Sequence, residues 1–349
     1  MKSTMSNLFA NIHRSFGGAP RAVSSRSVGI LSSGMWRKRA IIAKLLDGQP
    51  VRVWPWRQSG FDEIAGWGHK PTAKAALALA IKLGVPYAGV EDGFLRSVRP
   101  GDAEPSVGWI VDRRGIYYDS ASLSDFEIAV SRRAETVDPN VDSRIRSALA
   151  RISTLRLSKY NHAPMRSPKS LGLRVAEKFV FVIDQTAGDA SVAGAGANEK
   201  TFLVMLEAAI ADNPGRHVVV KLHPETINGR KPGHLVHAAR DRRVSVISED
   251  VNPWSVIENA ECLYVVSSQL GFEAMLAGVR VVTFGQGFYS GWGLVDCRCQ
   301  SPERRCLARR EDIAAAAYLD YCRWIHPFSG EKIELEDAIE ILAEARRAM

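Results

Sequence analysis

Several short stretches of this sequence set charged, hydroxyl and glycine residues side by side in ways that could hold an anion or move a proton. Asp184-Gln185-Thr186-Ala187-Gly188-Asp189-Ala190-Ser191 follows the apolar run Phe179–Ile183 and leads to Gly194-Ala195-Gly196. Small residues ahead of a helix expose backbone N–H groups to an anion. Two carboxylates in so compact a loop point to a task beyond solvation, with turn capping by Asp189 as the simpler alternative. Lys221-Leu222-His223-Pro224-Glu225 ends another apolar run. Strand alternation sends Lys221 and His223 the same way, and an ammonium beside an imidazole suits a phosphate. Ser267-Ser268-Gln269-Leu270-Gly271-Phe272-Glu273 offers hydroxyls at a helix start, as caps or as phosphate donors. Glu273 falls one turn into that helix, where a carboxylate could accept the two hydroxyls of a ribose. Glu91-Asp92, followed by Arg96-Ser97, could hold a sugar or relay a proton, or form an ion pair.

These groups need elements to position them. Residues 28–31, 51–54 and 87–90 read as strands, and 36–46 and 72–83 as helices. Residues 109–112 and 115–118 suggest a hairpin turned by Arg113-Arg114, and 123–157 a mainly helical region broken near Pro139. The stretch 158–173 has no clear period and carries Pro164 and Pro168, so a domain boundary is expected there. The pattern then restarts. Apolar runs at 179–183, 217–222, 244–247, 262–266 and 279–284 alternate with helical stretches at 199–211, 232–240, 253–260 and 271–277. Continuous apolar runs in βα alternation imply a parallel sheet covered on both faces. The expected fold is α/β, two Rossmann-like domains facing a cleft. Its parts are a flexible basic arm over 1–27, an N-terminal Rossmann-like domain over 28–165, a C-terminal Rossmann-like domain over 174–310 and a helical segment over 311–349. In such sheets ligands bind beyond the carboxyl ends of the strands, where the stretches above lie.

Composition narrows the partners. The chain is 46% hydrophobic and 24% charged, an ordinary globular balance. No apolar run reaches the roughly 20 residues that span a bilayer, and no secretory core follows Lys2, Arg14 and Arg21. The net charge of +8 favours an anionic substrate or membrane face. The basic residues are not interleaved with aromatics on one face, which argues against nucleic acid. Five cysteines, among them Cys297, Cys299 and Cys306, lack the paired spacing of a zinc site and read as free cytosolic thiols. There is no Asp-x-Asp to hold a divalent ion on a sugar nucleotide. A metal-free transferase using Lys, His and helix dipoles is expected instead.

Taken in order, Gly66-Trp67-Gly68-His69-Lys70, Glu91-Asp92-Gly93-Phe94-Leu95-Arg96-Ser97, Gly115-Ile116-Tyr117-Tyr118-Asp119, Asp184-Gln185 with Asp189-Ala190-Ser191, Lys221-Leu222-His223-Pro224, Gly271-Phe272-Glu273-Ala274 and Gly285-Gln286-Gly287-Phe288-Tyr289-Ser290-Gly291-Trp292-Gly293-Leu294 form a long ordered set. The set resembles the capsule polysaccharide biosynthesis proteins of the KpsC type, over roughly residues 28–330. The resemblance implies a retaining β-Kdo glycosyltransferase of GT-B-like architecture, with 28–165 on the acceptor side and 174–310 on the nucleotide-sugar side. The implied enzyme moves Kdo, an eight-carbon acidic sugar, from CMP-Kdo onto a Kdo-bearing lipid or glycan, in the family's case a phospholipid. It needs no cofactor besides that donor. Retention follows from two inversions through a carboxylate-linked sugar. On this reading Asp189 is the nucleophile, and Glu91 is the acid/base or acceptor-orienting group. Lys221, His223, Ser267 and Ser268, with Gln185, hold the CMP phosphate or the Kdo carboxylate. Glu273 takes the ribose, and Asp92 and Arg96 face the sugar. The implied location is the cytoplasmic face of the inner membrane, bound peripherally through the Arg14–Arg39 region and working beside capsule assembly proteins. Larger members carry two such modules and this chain has length for one. The stretch after Arg96-Ser97-Val98 also lacks the family's usual Gly-Leu-Gly. An inverting transferase using another nucleotide sugar and a non-catalytic glycolipid-binding assembly factor are the competing functions.

Overall fold

The computed structural model describes residues 26–56, 59–101, 104–173, 178–238 and 242–349. The expected basic arm, with Lys2, Arg14 and Arg21, lies outside the described residues except at Arg26 and Ser27. Two six-stranded sheets form the frame. The first contains β1 (Ser27–Ile30), β2 (Gln49–Arg52), β3 (Glu63–Trp67), β4 (Tyr87–Asp92) and β5 (Gly108–Asp112). The second contains β6 (Phe179–Ile183), β7 (Val218–Lys221), β8 (Val244–Ile247), β9 (Ala260–Val265), β10 (Arg280–Thr283) and β11 (Asp296–Cys297). A last strand, β12 (Cys322–Trp324), returns to the first sheet and pairs antiparallel with β5, giving the order β12-β5-β4-β3-β1-β2.

The second sheet is parallel throughout, in the order β11-β10-β9-β6-β7-β8. Every residue of β6 and β7 is buried, as expected of apolar strands with helices on both faces. Strand order reverses at β6, which has β9 on one side and β7 on the other. The crevice at such a switch point opens at the carboxyl ends of β6 and β9. Those ends run straight into Asp184-Gln185 and Ser267-Ser268.

Among the local expectations that change, three concern the connections between elements. Residues 115–118 form no strand; Asp112 Oδ1 accepts the N–H groups of Arg114 and Gly115, and this turn releases the chain from the sheet. The stretch 232–238 is not an α-helix, because Asp184 Oδ1 and Oδ2 draw the His234 and Leu235 N–H groups out of any helical ladder. The segment 311–349 is helical at both ends, at Arg310–Ala315 and Leu335–Arg347, but supplies β12 between them and so belongs to the first sheet as well.

The two halves share a core. Phe94, at the end of β4, stacks on Phe288 of the glycine-aromatic loop at 5.0 Å and 19°. Tyr117, Phe126, Phe272 and Tyr321 surround the pair. Each well-placed aromatic pair adds about 0.5–1.5 kcal/mol beyond its buried area. An ion pair locks the same junction. Glu127, 3% exposed, accepts from Arg304 Nε at 2.8 Å and Arg305 Nε at 2.6 Å. Arg305 Nη1 in turn donates to the carbonyls of Gly287 and Ser290, which shapes the aromatic loop. Residues 158–161 form a strap between the halves. The Lys159 carbonyl accepts from Arg96 N and Ser97 N, and Asn161 N donates to the Val98 carbonyl. The Ser158 hydroxyl reaches Glu273 on the other side.

Candidate active site

The second sheet supplies one wall of the cleft. Asp189 begins the short helix Ala190–Gly194, its Oδ1 accepting from Ser191 N at 2.9 Å. The capping alternative therefore holds, yet it uses one carboxylate oxygen and leaves the other toward Gln185. Gln185, 3% exposed, is the hub of this wall. Its Nε2 is shared among Asp189 Oδ2 at 3.3 Å, Ser191 Oγ at 3.2 Å and Ser267 Oγ at 3.1 Å. Its Oε1 accepts from Ser267 N at 3.0 Å. Carboxyl ends of β6 and β9 are thus tied by one amide, which also fixes the orientation of the Asp189 carboxylate. Ser268 caps the helix Gln269–Leu276 through its hydroxyl, and its carbonyl accepts from Tyr289 Oη.

Lys221 ends β7 and His223 caps the short helix Pro224–Ile227 that follows, with the Lys221 charge acting on the imidazole. Lys221 is 6% exposed, and burial holds its ammonium below the ordinary lysine range against the opposing charge of Asp250. Burial, then Lys221, pushes the His223 imidazole below its ordinary value. His223 Nδ1 accepts from Glu225 N at 3.1 Å, so the neutral ring carries its proton on Nε2. Asp189 is among the charges acting on that ring. Asp250 also accepts from His162 Nε2 of the linker at 2.9 Å.

The first sheet supplies the facing wall. Glu91, near the end of β4, accepts from Asp92 N with Oε1 at 2.9 Å. Its Oε2 and the Tyr118 hydroxyl crowd Gly68, which has φ +45°; a Cβ there would collide with both oxygens. Gly68 is therefore required for this approach, and Tyr118 Oη also accepts from His69 N at 2.9 Å. Burial raises the Glu91 carboxyl above its ordinary value; Lys159 opposes the rise and Asp92 adds to it. Lys159 is itself desolvated, yet the surrounding Tyr117, Tyr160, Asp92 and Glu91 carry its ammonium to a net rise. Burial lifts the Tyr117 and Tyr118 phenols well above their usual range, and the charges of Glu91 and Asp189 lift both further. Asp189 and Glu91, from opposite halves, act on the same two phenols. The Gly194 backbone packs directly on Tyr118, and the Gly194 carbonyl accepts from Ser120 N and Oγ, each at 2.8 Å.

Over 302 residues the chain is 37% identical to the capsule polysaccharide modification protein LipA of Neisseria meningitidis serogroup A, a match covering 82% of this chain and 42% of LipA. Residues 62–171 and 144–324 match the family described as capsule polysaccharide biosynthesis protein. The chain belongs to this family. The lipopolysaccharide-processing protein LpsZ of Rhizobium meliloti is 34% identical over 286 residues, 79% of this chain and 63% of LpsZ. The chain thus spans less than two thirds of either curated relative. Among solved structures, the β-Kdo 2,4 transferase of Thermosulfurimonas dismutans KpsC superposes with a TM-score of 0.85 at 36% identity, covering 92% of this chain and 98% of that one. The corresponding β-Kdo 2,7 transferase superposes at 0.69 with 23% identity, over 92% and 99%, a likeness of fold.

In this capsule polysaccharide biosynthesis protein two sequence expectations meet a different arrangement. Arg96, 3% exposed, pairs with Asp92 at 2.8 Å and donates to Ser97 Oγ and the Gly101 carbonyl. The pair folds the 92–101 loop instead of standing open to a sugar. Glu273 is 8% exposed, and both its oxygens receive the Ser158 hydroxyl, at 2.9 and 2.8 Å, with Gln269 Nε2 at 3.0 Å. It braces the strap and has no carboxylate oxygen open to a ribose. Burial outweighs those hydrogen bonds and lifts the Glu273 carboxyl from 4.5 to about 7. The native state therefore holds this proton more tightly than the unfolded chain does. Its stability contribution is full below the ordinary value of 4.5 and declines as pH rises toward 7. Glu273→Gln is expected to remove about 3 kcal/mol of pH dependence across that window. Urea unfolding at a series of pH values measures it, and a slope equal to wild type refutes the assignment.

Lys159, Tyr117, Tyr118 and Gly68 join the site without having been singled out for chemistry. The tyrosines and Gly68 lie inside motifs that carry the family resemblance, so a signal for them existed. Lys159 had none: it sits in an aperiodic stretch that reads only as a domain boundary.

Proposed function

We propose that the chain is a retaining glycosyltransferase that moves Kdo from CMP-Kdo onto a Kdo-bearing lipid or glycan in capsule synthesis. The observation that carries this reading is that Tyr118 joins the two halves: its hydroxyl stands with Glu91 Oε2 against Gly68, and its backbone packs on Gly194 of the short helix that Asp189 caps. The 36% identity to a β-Kdo 2,4 transferase supports the choice of sugar. In the first step the Asp189 carboxylate attacks the anomeric carbon, and the bond from that carbon to the CMP phosphate oxygen breaks. Lys221 and the Nε2–H of His223 stand on the same wall to receive the charge of the departing phosphate. In the second step Glu91 takes the proton of an acceptor hydroxyl. The hydroxyl oxygen attacks the anomeric carbon and the Asp189 carboxylate is released, so two inversions restore the configuration. No metal enters these steps, because cations and hydrogen-bond donors of the chain carry the phosphate charge. No described helix is long and apolar enough to cross a membrane, and attachment to the cytoplasmic face of the inner membrane is peripheral in this proposal.

Incubation with CMP-Kdo and a short Kdo-terminated lipid mimic tests it. The expected result is CMP release and a product heavier by one Kdo, with the β configuration by NMR. Release of no CMP, with acceptor binding intact, would make the chain a glycolipid-binding assembly factor. Tight UDP binding with none for CMP would point to a different donor.

A further inference from the structure

Charge along this chain is unevenly placed. Residues 1–61 hold ten of the 46 Lys and Arg and one of the 38 Asp and Glu, so the other 288 residues carry 36 basic against 37 acidic groups. The whole net positive charge therefore belongs to the amino-terminal end. Within it, at the carboxyl end of edge strand β2, stands an unusual surface feature. Trp54 and Trp56 are 46% and 80% exposed and stack on each other at 5.3 Å and 5°. The Arg52 guanidinium lies 5.6 Å from the Trp54 ring, and its Nη2 donates to Ser33 Oγ at 3.0 Å. One helical turn beyond Ser33, the Arg39 guanidinium lies over the half-buried Trp36 at 5.3 Å. Arg37 and Arg39 are exposed, so basic and aromatic side chains do share a surface here, contrary to the expectation from the sequence.

We infer that this arginine–tryptophan stack and the cations around it are the surface by which the protein lies on an anionic lipid bilayer. Indole rings prefer the headgroup region, where an apolar body and a polar N–H are both accommodated. Guanidinium groups stacked on those rings are weakly hydrated and pair readily with lipid phosphate. From Val28 to Trp56 the chain carries five basic residues and one carboxylate, Asp47, which is paired with Lys332 at 2.8 Å, and this excess of positive charge matches the negative potential of such a surface. The ring faces are turned to each other and to Arg52, which leaves only the outer face of Trp56 for a sugar ring, so a bilayer fits better than a glycan. The inference rests on the proposed function only for the reason a bilayer matters. Vesicle binding is measured without donor or turnover, so the two can fail separately.

The full chain is sedimented with sucrose-loaded vesicles of phosphatidylcholine, alone or with phosphatidylglycerol. Binding to the anionic vesicles is expected, weakening with salt, and Trp54→Ala with Trp56→Ala should lower the affinity about tenfold or more. Brominated lipids should quench indole fluorescence in the wild type and markedly less in the double variant. Arg52→Gln should weaken anionic binding while leaving the thermal midpoint in place, and turnover of a lipid-free acceptor should be unchanged in all variants. Wild-type affinity and quenching in the double variant, or no vesicle binding by the wild type, overturns the inference. Loss of soluble anionic oligosaccharide binding in the double variant, with vesicle binding intact, overturns it in favour of a glycan platform.

Discussion

Asp189→Asn is expected to abolish transfer, lowering kcat by about 10³-fold or more, as removal of a covalent nucleophile does in other enzymes. The amide oxygen retains the cap on Ser191 N, while its Nδ2 replaces the oxygen that accepted from Gln185 Nε2 at 3.3 Å. Ser191 Oγ and Ser267 Oγ still accept from the Gln185 amide, so the fold and donor binding should survive. CMP-Kdo affinity by calorimetry is therefore expected to stay within a few-fold of wild type while turnover disappears. Intact-protein mass spectrometry supplies the second reading. Wild type mixed with donor alone should gain the mass of one Kdo residue, mapped to the peptide containing Asp189, and the variant should gain none. Turnover near the wild-type rate in Asp189→Asn would exclude the carboxylate as nucleophile, whatever the product.

Glu91→Gln is expected to reduce kcat/KM by about 10²–10⁴-fold, the range for a positioned general base. The pH profile separates loss of a base from loss of shape. Glu91 must be ionised to take the acceptor proton, and burial raises its pKa, so wild-type activity should rise with pH through a value above the ordinary 4.5. Glu91→Gln should remove that limb. Lys159 opposes the rise, so Lys159→Met should move the limb to higher pH, and Lys159→Arg should restore it toward wild type. A limb unmoved by Lys159→Met would show that this ammonium does not act on Glu91. Gly68→Ala provides an independent check, since the added Cβ meets Glu91 Oε2 and Tyr118 Oη and should lower kcat without touching the donor wall.

Where the candidate site lies was legible because strand ends are legible. The apolar runs at Phe179–Ile183 and Val218–Lys221 are buried on both faces, so their ends and the polar residues beyond them stand out in the sequence. That is why the stretches holding Asp189, Lys221 and His223 could be singled out from their positions, while the roles given to Asp189 and Gln185 came with the family resemblance. Arg96 and Glu273 were legible as charged residues at the right places, but not in their partners. The Asp92 carboxylate and the Ser158 hydroxyl reach them only after the 92–101 loop and the strap have folded. A sequence records that a charge is present; whether it faces a ligand or a neighbour depends on which groups the chain brings back to it.

By itself, then, the sequence determined the kind of molecule and its vocabulary: α/β order, two nucleotide-fold halves, and carboxylates, hydroxyls, an ammonium and an imidazole at strand ends. These are consequences of local periodicity and of the chemistry each residue type carries. Tertiary structure alone decided that β12 rejoins the first sheet, that Phe94 stacks on Phe288, and that Lys159, from an unpatterned strap, shares its surroundings with Tyr117, Asp92 and Glu91. Those contacts join residues far apart in the chain. Their stability comes from excluding water and balancing buried charge, quantities that exist only once both halves are in place.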